Sequence, residues 1–336
     1  MRNLLLALCV SLSAACYAHA KSLEVYFVDV EGGQATLVVS PSGESLLIDT
    51  GWPGFGGRDA DRIVAAARAA GLQKLDVVLI THYHRDHVGG VTQLAERIPV
   101  GVYLDHGGSV ESGEQANALM AAYNAAVVKA RRLGLKPGDK IPIKGLDVTV
   151  LTAAGETIAK PVAGEGEPNA LCAAAKPQED DSGENAQSLG ILIRHGKFRM
   201  IDLGDLTWNE ELELACPANR AGPVDVYLTT HHGGPSSGAP AIVHALRPRV
   251  AIMNNGARKG GNPDSIKTVR TSPGLEDLWQ LHDAIEAGDG NNSSKDLIAN
   301  VEEQCEGRGI KLSAEPSGAF AVTNLRNGFA KSYAAR

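Results

Sequence analysis

The chain of 336 residues is poor in aromatics, which make up 4%, and in methionine, with four. Its five cysteines include no Cys-x-x-Cys pair, which excludes a cysteine-knuckle metal site. After the first 20 residues no stretch approaches the roughly 18 apolar residues that a membrane helix needs, so no transmembrane segment is expected in the mature chain. An excess of positive charge is missing too: 32 Lys plus Arg stand against 39 Asp plus Glu, a net charge of −7. A general polyanion binder would be basic overall, so nucleic acid is an open but unindicated partner, and only a local basic patch could hold one.

Residues 1–20 carry Arg2, an apolar run from Leu4 to Ala15 and the small-x-small sequence Ala18-His19-Ala20, the pattern of an export signal. The mature protein is therefore expected to start near Lys21 and to be periplasmic or secreted. A lipoprotein anchored through Cys16 is the lesser alternative, because Ser13 stands where a lipid-attachment box has Leu. The remaining 316 residues, with a net charge of −8 once Arg2 is gone, are enough for one large or two small domains. We read 21–336 as a single catalytic domain with an insertion near 153–184 and an extension after about 255. Cys172, Cys216 and Cys305 remain after the signal, and an oxidising compartment favours one disulfide and a spare thiol. Sequence leaves all three pairings open, with Cys172–Cys216 the first choice because those two flank one hairpin.

Short strands are expected at Leu23–Val30, Ala35–Ser40 and Leu46–Asp49, followed by a helix over Arg58–Ala70 that crosses back to a strand. Further along, helices are expected over Val91–Arg97, Gly113–Leu133, Thr207–Ala215, Pro240–Leu246 and Leu275–Ala287. Strands are expected over Val100–Leu104, Asp147–Leu151, Ser188–His195, Phe198–Asp202, Val224–Thr229, Arg249–Met253 and Gly318–Asn324. Residues 153–184 lose all periodicity, and Asn254–Gly274 reads as a long loop. The two halves look alike in kind, which suits an α/β fold of four layers, αββα, with two mixed sheets flanked by helices.

The chemistry concentrates where Val77-Val78-Leu79-Ile80, a run fit for a strand covered on both faces, enters Thr81-His82-Tyr83-His84-Arg85-Asp86-His87-Val88-Gly89-Gly90. His82 and His84, two apart in an extended loop, can converge on one divalent ion, and Asp86 and His87 can face a second. His82-Tyr83-His84-Arg85-Asp86-His87 resembles the signature of the metallo-β-lactamase superfamily. The likeness runs from about Leu23 to Met253. Within it, Val28-Asp29-Val30 before Gly-Gly-Gln, Leu47-Ile48-Asp49-Thr50-Gly51, Asn185 with Ser188-Leu189, Gly204-Asp205 and His231-His232-Gly233 are similar to the hydrolase-like domain of bacterial DNA-uptake channel proteins, here in a free-standing exported form. The likeness implies two divalent ions, zinc first and manganese or iron as alternatives, with Asp205 bridging them and Asp202 its rival. It also implies His232 as a ligand in the second site and His231 as a neighbouring proton-transfer group, although these two roles can be exchanged. The family's third histidine of the first site has no matching turn here; His106, which ends a strand, is the candidate, and His195, at the far end of a hairpin, reads as a surface residue. Asp49 either accepts hydrogen bonds from the metal loop or caps its own turn.

The expected reaction is hydrolysis by a metal-bound hydroxide, oriented by Asp86, with His231 or His106 protonating the leaving group. Arg258, Lys259, Lys267 and Arg270, against a lone Asp264, form a positive lip suited to a phosphodiester or nucleotide. A lactone, carboxylic ester or β-lactam is the runner-up substrate class. A non-catalytic metal-binding module is the second reading, and diiron redox chemistry a weaker third. Oligomeric state is not legible.

Overall fold

The computed structural model describes residues 22–162, 166–288 and 290–336; the expected export signal lies outside the described residues. The first strands are β1 (Leu23–Phe27), β2 (Thr36–Val39) and β3 (Ser45–Ile48), a meander of antiparallel pairs as the alternation implied. Helix α1 (Arg58–Ala69) then returns the chain to β4 (Leu75–Leu79), which pairs with β3 in parallel. The short helices α2 (Arg85–Val88) and α3 (Val91–Ala95), strand β5 (Val100–Asp105), helix α4 (Glu114–Val127) and edge strand β6 (Arg131–Gly134) follow. Strands β7 (Lys140–Ile141), β8 (Asp147–Ala153), β9 (Glu156–Thr157), β10 (Gly190–His195) and β11 (Phe198–Asp202) open the second sheet. Helix α5 (Trp208–Ala215), β12 (Val226–Leu228), α6 (Pro240–Leu246), β13 (Val250–Met253), α7 (Pro263–Arg270), β14 (Asp277–His282) and β15 (Ile298–Asn300) extend it. Finally β16 (Ile310–Ala314), β17 (Phe320–Asn324) and β18 (Ala330–Tyr333) return to the first sheet beside β1.

The two mixed sheets run β18-β17-β16-β1-β2-β3-β4-β5-β6 and β15-β14-β13-β12-β11-β10-β8-β7, with β9 paired to β8. Between them lies an apolar core to which both contribute, from Val25, Phe27 and Ile48 on one side to Ile191, Met200 and Trp279 on the other. Ile63, Ala67, Leu94 and Tyr123 of the helices α1, α3 and α4 cover the outer face of the first sheet. Leu214, Ile242, Leu246 and Ile266 of α5, α6 and α7 cover the second. The expected four layers are therefore present.

Three expectations of secondary structure fail. The helix expected over Gly113–Leu133 stops at Val127, and Arg131–Gly134 instead pairs in parallel with the exposed edge of β5. The expected loop Asn254–Gly274 contains α7, capped by the Asn262 side chain on the Asp264 N–H and started by Pro263, with Ile266 and Val269 buried. The helix expected over Leu275–Ala287 is instead the strand β14. Leu275, Leu278, Leu281 and Ile285 mimic a helical stripe, but the segment pairs in parallel with β13 and β15 and is buried on both faces. His195 is also buried rather than on the surface. Cys172 and Cys216 form a disulfide with Cα atoms 5.7 Å apart, and Cys305 is free. No helix among the described residues is long and apolar enough to cross a membrane.

Candidate metal centre

The C-terminal ends of β4, β11 and β12 deliver the polar groups. Val78, Leu79 and Ile80 are fully buried, so the chain leaving β4 carries His82 inward; His84 then sits at the N-terminus of α2, whose first turn presents Asp86 and His87. At the end of β11, Gly204 adopts φ 58°, and a Cβ there would lie 2.9 Å from that of Thr81, so the glycine is required for Asp205 to approach the loop. After β12, His231 (φ 53°, ψ 44°) and His232 (φ 56°, ψ 17°) are both left-handed, a conformation disfavoured for side chains with a Cβ. Two successive strained residues of this kind are stored where the surrounding structure forces them, as at functional sites.

One oxygen of Asp205, Oδ2, lies 3.1 Å from His87 Nε2, 3.3 Å from His232 Nε2, 3.5 Å from His231 Nε2 and 3.9 Å from His82 Nε2. Asp86 Oδ2 is 3.2 Å from both His87 Nε2 and His232 Nε2, which are themselves 3.2 Å apart. Asp86, His87, Asp205 and His232 thus form one tight buried group whose ligand atoms lie within 4.8 Å of one another. His82 Nε2 and Asp205 Oδ1 are buried with no hydrogen-bond partner among the described residues, an arrangement costly unless a cation is bound. Imidazole and carboxylate are also the donor set that zinc and related divalent ions take, so the residues fit such an ion.

The surrounding charges act in concert. Burial raises the carboxyl groups of Asp86 and Asp205, but the neighbouring imidazoles outweigh it and hold both well below the usual carboxylate range. Burial disfavours the charged form of His87, yet Asp205, Asp86 and Asp49 hold its proton well above the usual histidine value. At His82 burial and the charge of His87 win, and its affinity for a proton falls well below normal. A nitrogen that sheds its proton this readily is free to ligate.

Asp49 belongs to the centre's support. Its Oδ1 accepts from the Thr81 N–H at 2.8 Å, and its Oδ2 accepts from Thr81 Oγ1 and His87 Nδ1, each at 2.7 Å. A carboxylate only accepts, so His87 carries a proton on Nδ1 in this contact and aims Nε2 at the centre. Asp202 is turned elsewhere, taking two hydrogen bonds from Gln34 Nε2 at 2.8 and 3.1 Å; burial pushes its carboxyl up to about 6. His231 holds Ser236 Oγ at 2.9 Å through Nδ1, which leaves Nε2 toward Asp205. His84 is a third exposed, with Nε2 3.0 Å from Glu111 Oε1, although its ring packs 4.7 Å from that of His82.

His106 does not join the centre. Its Nε2 lies 3.0 Å from Glu184 Oε2, so β5 ends in a buried hydrogen-bonded pair behind the metal loop. Glu184, at the end of the aperiodic stretch and unremarked in the sequence, also accepts from the Tyr83 N–H at 3.0 Å, Ser109 Oγ at 2.8 Å and the Val110 N–H at 2.7 Å. Burial raises its carboxyl, but His106 and these donors hold it at about 2. Because that value is depressed, its charge stabilises the fold above about pH 4.5 and the contribution fades as pH falls toward 2. Glu184→Gln should therefore cost about 2 kcal/mol at pH 7. Urea titrations of parent and variant should converge as the pH is lowered through that window, and a gap independent of pH would refute the assignment.

Lys259, one of the four cations of the expected positive lip, reaches the centre. Its loop is stitched to the histidine turn by Gly261 N–H to His232 O and Asn262 N–H to Gly233 O, both 2.9 Å. The ammonium contacts Asp86 Oδ2 and lies 5.1 Å from the centre of the Trp52 ring.

A buried imidazole–carboxylate cluster at the strand ends of a four-layer αββα fold defines a candidate metal-binding centre. Residues 28–164 match the family model described as metallo-beta-lactamase superfamily. ComE operon protein 3 of Bacillus subtilis (strain 168) is 25% identical over 248 residues, 69% of this chain but 28% of the relative, so the chain spans just over a quarter of that protein. A UPF0173 metal-dependent hydrolase of Cupriavidus necator is 24% identical over 253 residues, covering 71% of this chain and 77% of its own. Among solved structures, the metallo-beta-lactamase fold protein YhfI from Bacillus subtilis superposes with a TM-score of 0.47 at 12% identity, over 77% of this chain and 96% of that one.

Proposed function

We propose that this protein is an exported, two-metal hydrolase of phosphodiester or nucleotide-type substrates. Asp86, His87, Asp205 and His232 would hold one ion; His82, His84 and the shared Asp205 would hold the other, with His231 as its neighbour. When bound, such ions act as Lewis acids and lower the pKa of coordinated water from about 15.7 toward 7. The protein's own groups supply the rest. Asp49 fixes the His87 ring, and Asp86 stands between His87, His232 and Lys259, where its carboxylate can orient water. His231, tethered through Ser236 and about a fifth exposed, is placed to pass a proton to a departing oxygen.

The observation that carries the substrate class is Lys259. Of the four cations of the positive lip, Arg258 is engaged by Glu303 at 3.0 Å, and Lys267 and Arg270 are exposed on the outer side of α7. Lys259 alone among these four touches the centre, a fixed positive charge beside the reacting group of an anionic substrate. Export is supported by the sequence of residues 1–20 and by the Cys172–Cys216 disulfide, which an oxidising compartment maintains.

The test is turnover by metal-loaded protein on phosphodiesters and nucleotides beside lactones, carboxylic esters and β-lactams. Phosphodiesters should be hydrolysed fastest, and Lys259→Ala should raise KM for them about tenfold, roughly 1.4 kcal/mol of binding, with a smaller change in kcat. Preferential turnover of a neutral lactone or ester, unaffected by Lys259→Ala, would overturn the reading.

A further inference from the structure

We infer that Asp29, Glu31, His282 and Cys305 form a second cation site, separate in its residues from the hydrolytic centre and suited to zinc or a similar thiophilic divalent ion. They come from three distant segments: the loop after β1, the end of β14 and the connection between β15 and β16. Their ligand atoms nevertheless lie within 4.8 Å of one another. Tetrahedral ligands at about 2.0 to 2.3 Å from one ion stand about 3.3 to 3.8 Å apart, so the set closes on an ion by drawing in about 1 Å at its widest.

The orientation of the carboxylates is the stronger argument. His282 and Asp29 are fully buried, with His282 Nε2 2.7 Å from Asp29 Oδ1 and 3.7 Å from Glu31 Oε2. The opposite oxygens, Asp29 Oδ2 and Glu31 Oε1, each lie 3.1 Å from Arg62 Nη1. Each carboxylate therefore gives one oxygen to the guanidinium and turns the other to the imidazole. Ligating carboxylates are held this way by outer partners, and Arg62 plays that part; Glu31 Oε2 is left for the ion, while Asp29 Oδ1 also accepts the Glu31 N–H at 2.9 Å. Cys305 Sγ stands 3.7 Å from Asp29 Oδ2 and 3.6 Å from Glu31 Oε1. Its loop is built onto the cluster, since a Cβ at Gly307 would lie 2.1 Å from the Arg62 guanidinium.

Sulfur, nitrogen and oxygen together favour zinc over magnesium or calcium. The thiol does not suit a nucleophile's role, because burial and the two carboxylates raise its pKa to about 11. With the protein supplying four ligands, the site would be structural, fastening residues 301–309 to the loop that leads into Gln34.

Cobalt(II) substitution tests this without relying on activity. The hydrolytic centre offers nitrogen and oxygen ligands, and Cys305 is the free thiol among the described residues, so a thiolate-to-cobalt charge-transfer band reports this site alone. The band is expected in the parent and in His232→Ala, and should vanish in Cys305→Ser. Zinc content measured by mass spectrometry should fall by one equivalent in His282→Ala and in Cys305→Ser, with folding checked by circular dichroism. Absence of the band from cobalt-loaded parent protein, its survival in Cys305→Ser, or unchanged zinc content in both variants would overturn the inference. Loss of the hydrolytic centre would instead remove turnover and leave the band.

Discussion

Asp205→Asn is expected to lower turnover by on the order of 10³-fold or more and to strip bound metal, while the far-ultraviolet circular dichroism stays that of the parent. The amide matches the carboxylate in size, so packing is spared and only charge is lost. That charge is shared: one oxygen faces four imidazoles, at 3.1, 3.3, 3.5 and 3.9 Å. Its other oxygen is buried without a partner among the described residues, ready for a cation. In the metal-free state the same change leaves the raised proton of His87 with less compensation, and about 3 to 5 kcal/mol of stability should go with it. Turnover within tenfold of the parent, at full metal content, would rule out Asp205 as a ligand.

Asp49→Ala should weaken metal binding by about 10- to 100-fold without deleting a ligand. The carboxylate is buried, accepts three hydrogen bonds and holds His87 by Nδ1, so its loss frees the ring to turn and leaves the Thr81 N–H unpaired. The consequence separates the two variants. Excess metal should restore much of the activity of Asp49→Ala and none of that of Asp205→Asn. Equal behaviour of the two in a metal titration would show that Asp49 does more than position His87, or that Asp205 does less than ligate.

Much of this candidate site is legible in the sequence because side chains at strand ends are covalently close to a buried apolar run. Val77-Val78-Leu79-Ile80 reads as a covered strand, and β4 runs through Leu79 with Ile80 buried behind it, so the sequence alone puts the histidines at a strand end. Asp205 and Asp202 were separable only in space: both sit near the end of β11, but the left-handed turn at Gly204 sends one to the imidazoles, while Gln34, 168 positions away, claims the other. His106 shows the limit of that reasoning. It ends a strand as the ligands do, yet its partner is Glu184, 78 positions on in a stretch with no periodicity to place it. Lys259 was read only as one cation among four, since which of them reaches the centre is decided by backbone bonds from Gly261 and Asn262 to the histidine turn.

The fold shows the same division. Strands with one solvated face declare themselves by alternation, whereas β14, buried on both faces by parallel neighbours, carries leucines at spacings that also suit a helix. The segment after Met253 belongs to both sheets, with β14 and β15 extending one and β16 to β18 lying beside β1 in the other. Pairings between Leu23–Phe27 and Ile310–Ala314 join the two ends of the chain, and no local pattern encodes such contacts.

The most direct measurement is anomalous diffraction from crystals of zinc-loaded protein, recorded on both sides of the metal absorption edge. Peaks are expected enclosed by Asp86, His87, Asp205 and His232 and, across Asp205, beside His82. Well-ordered density for those side chains with no anomalous signal among them would contradict that expectation.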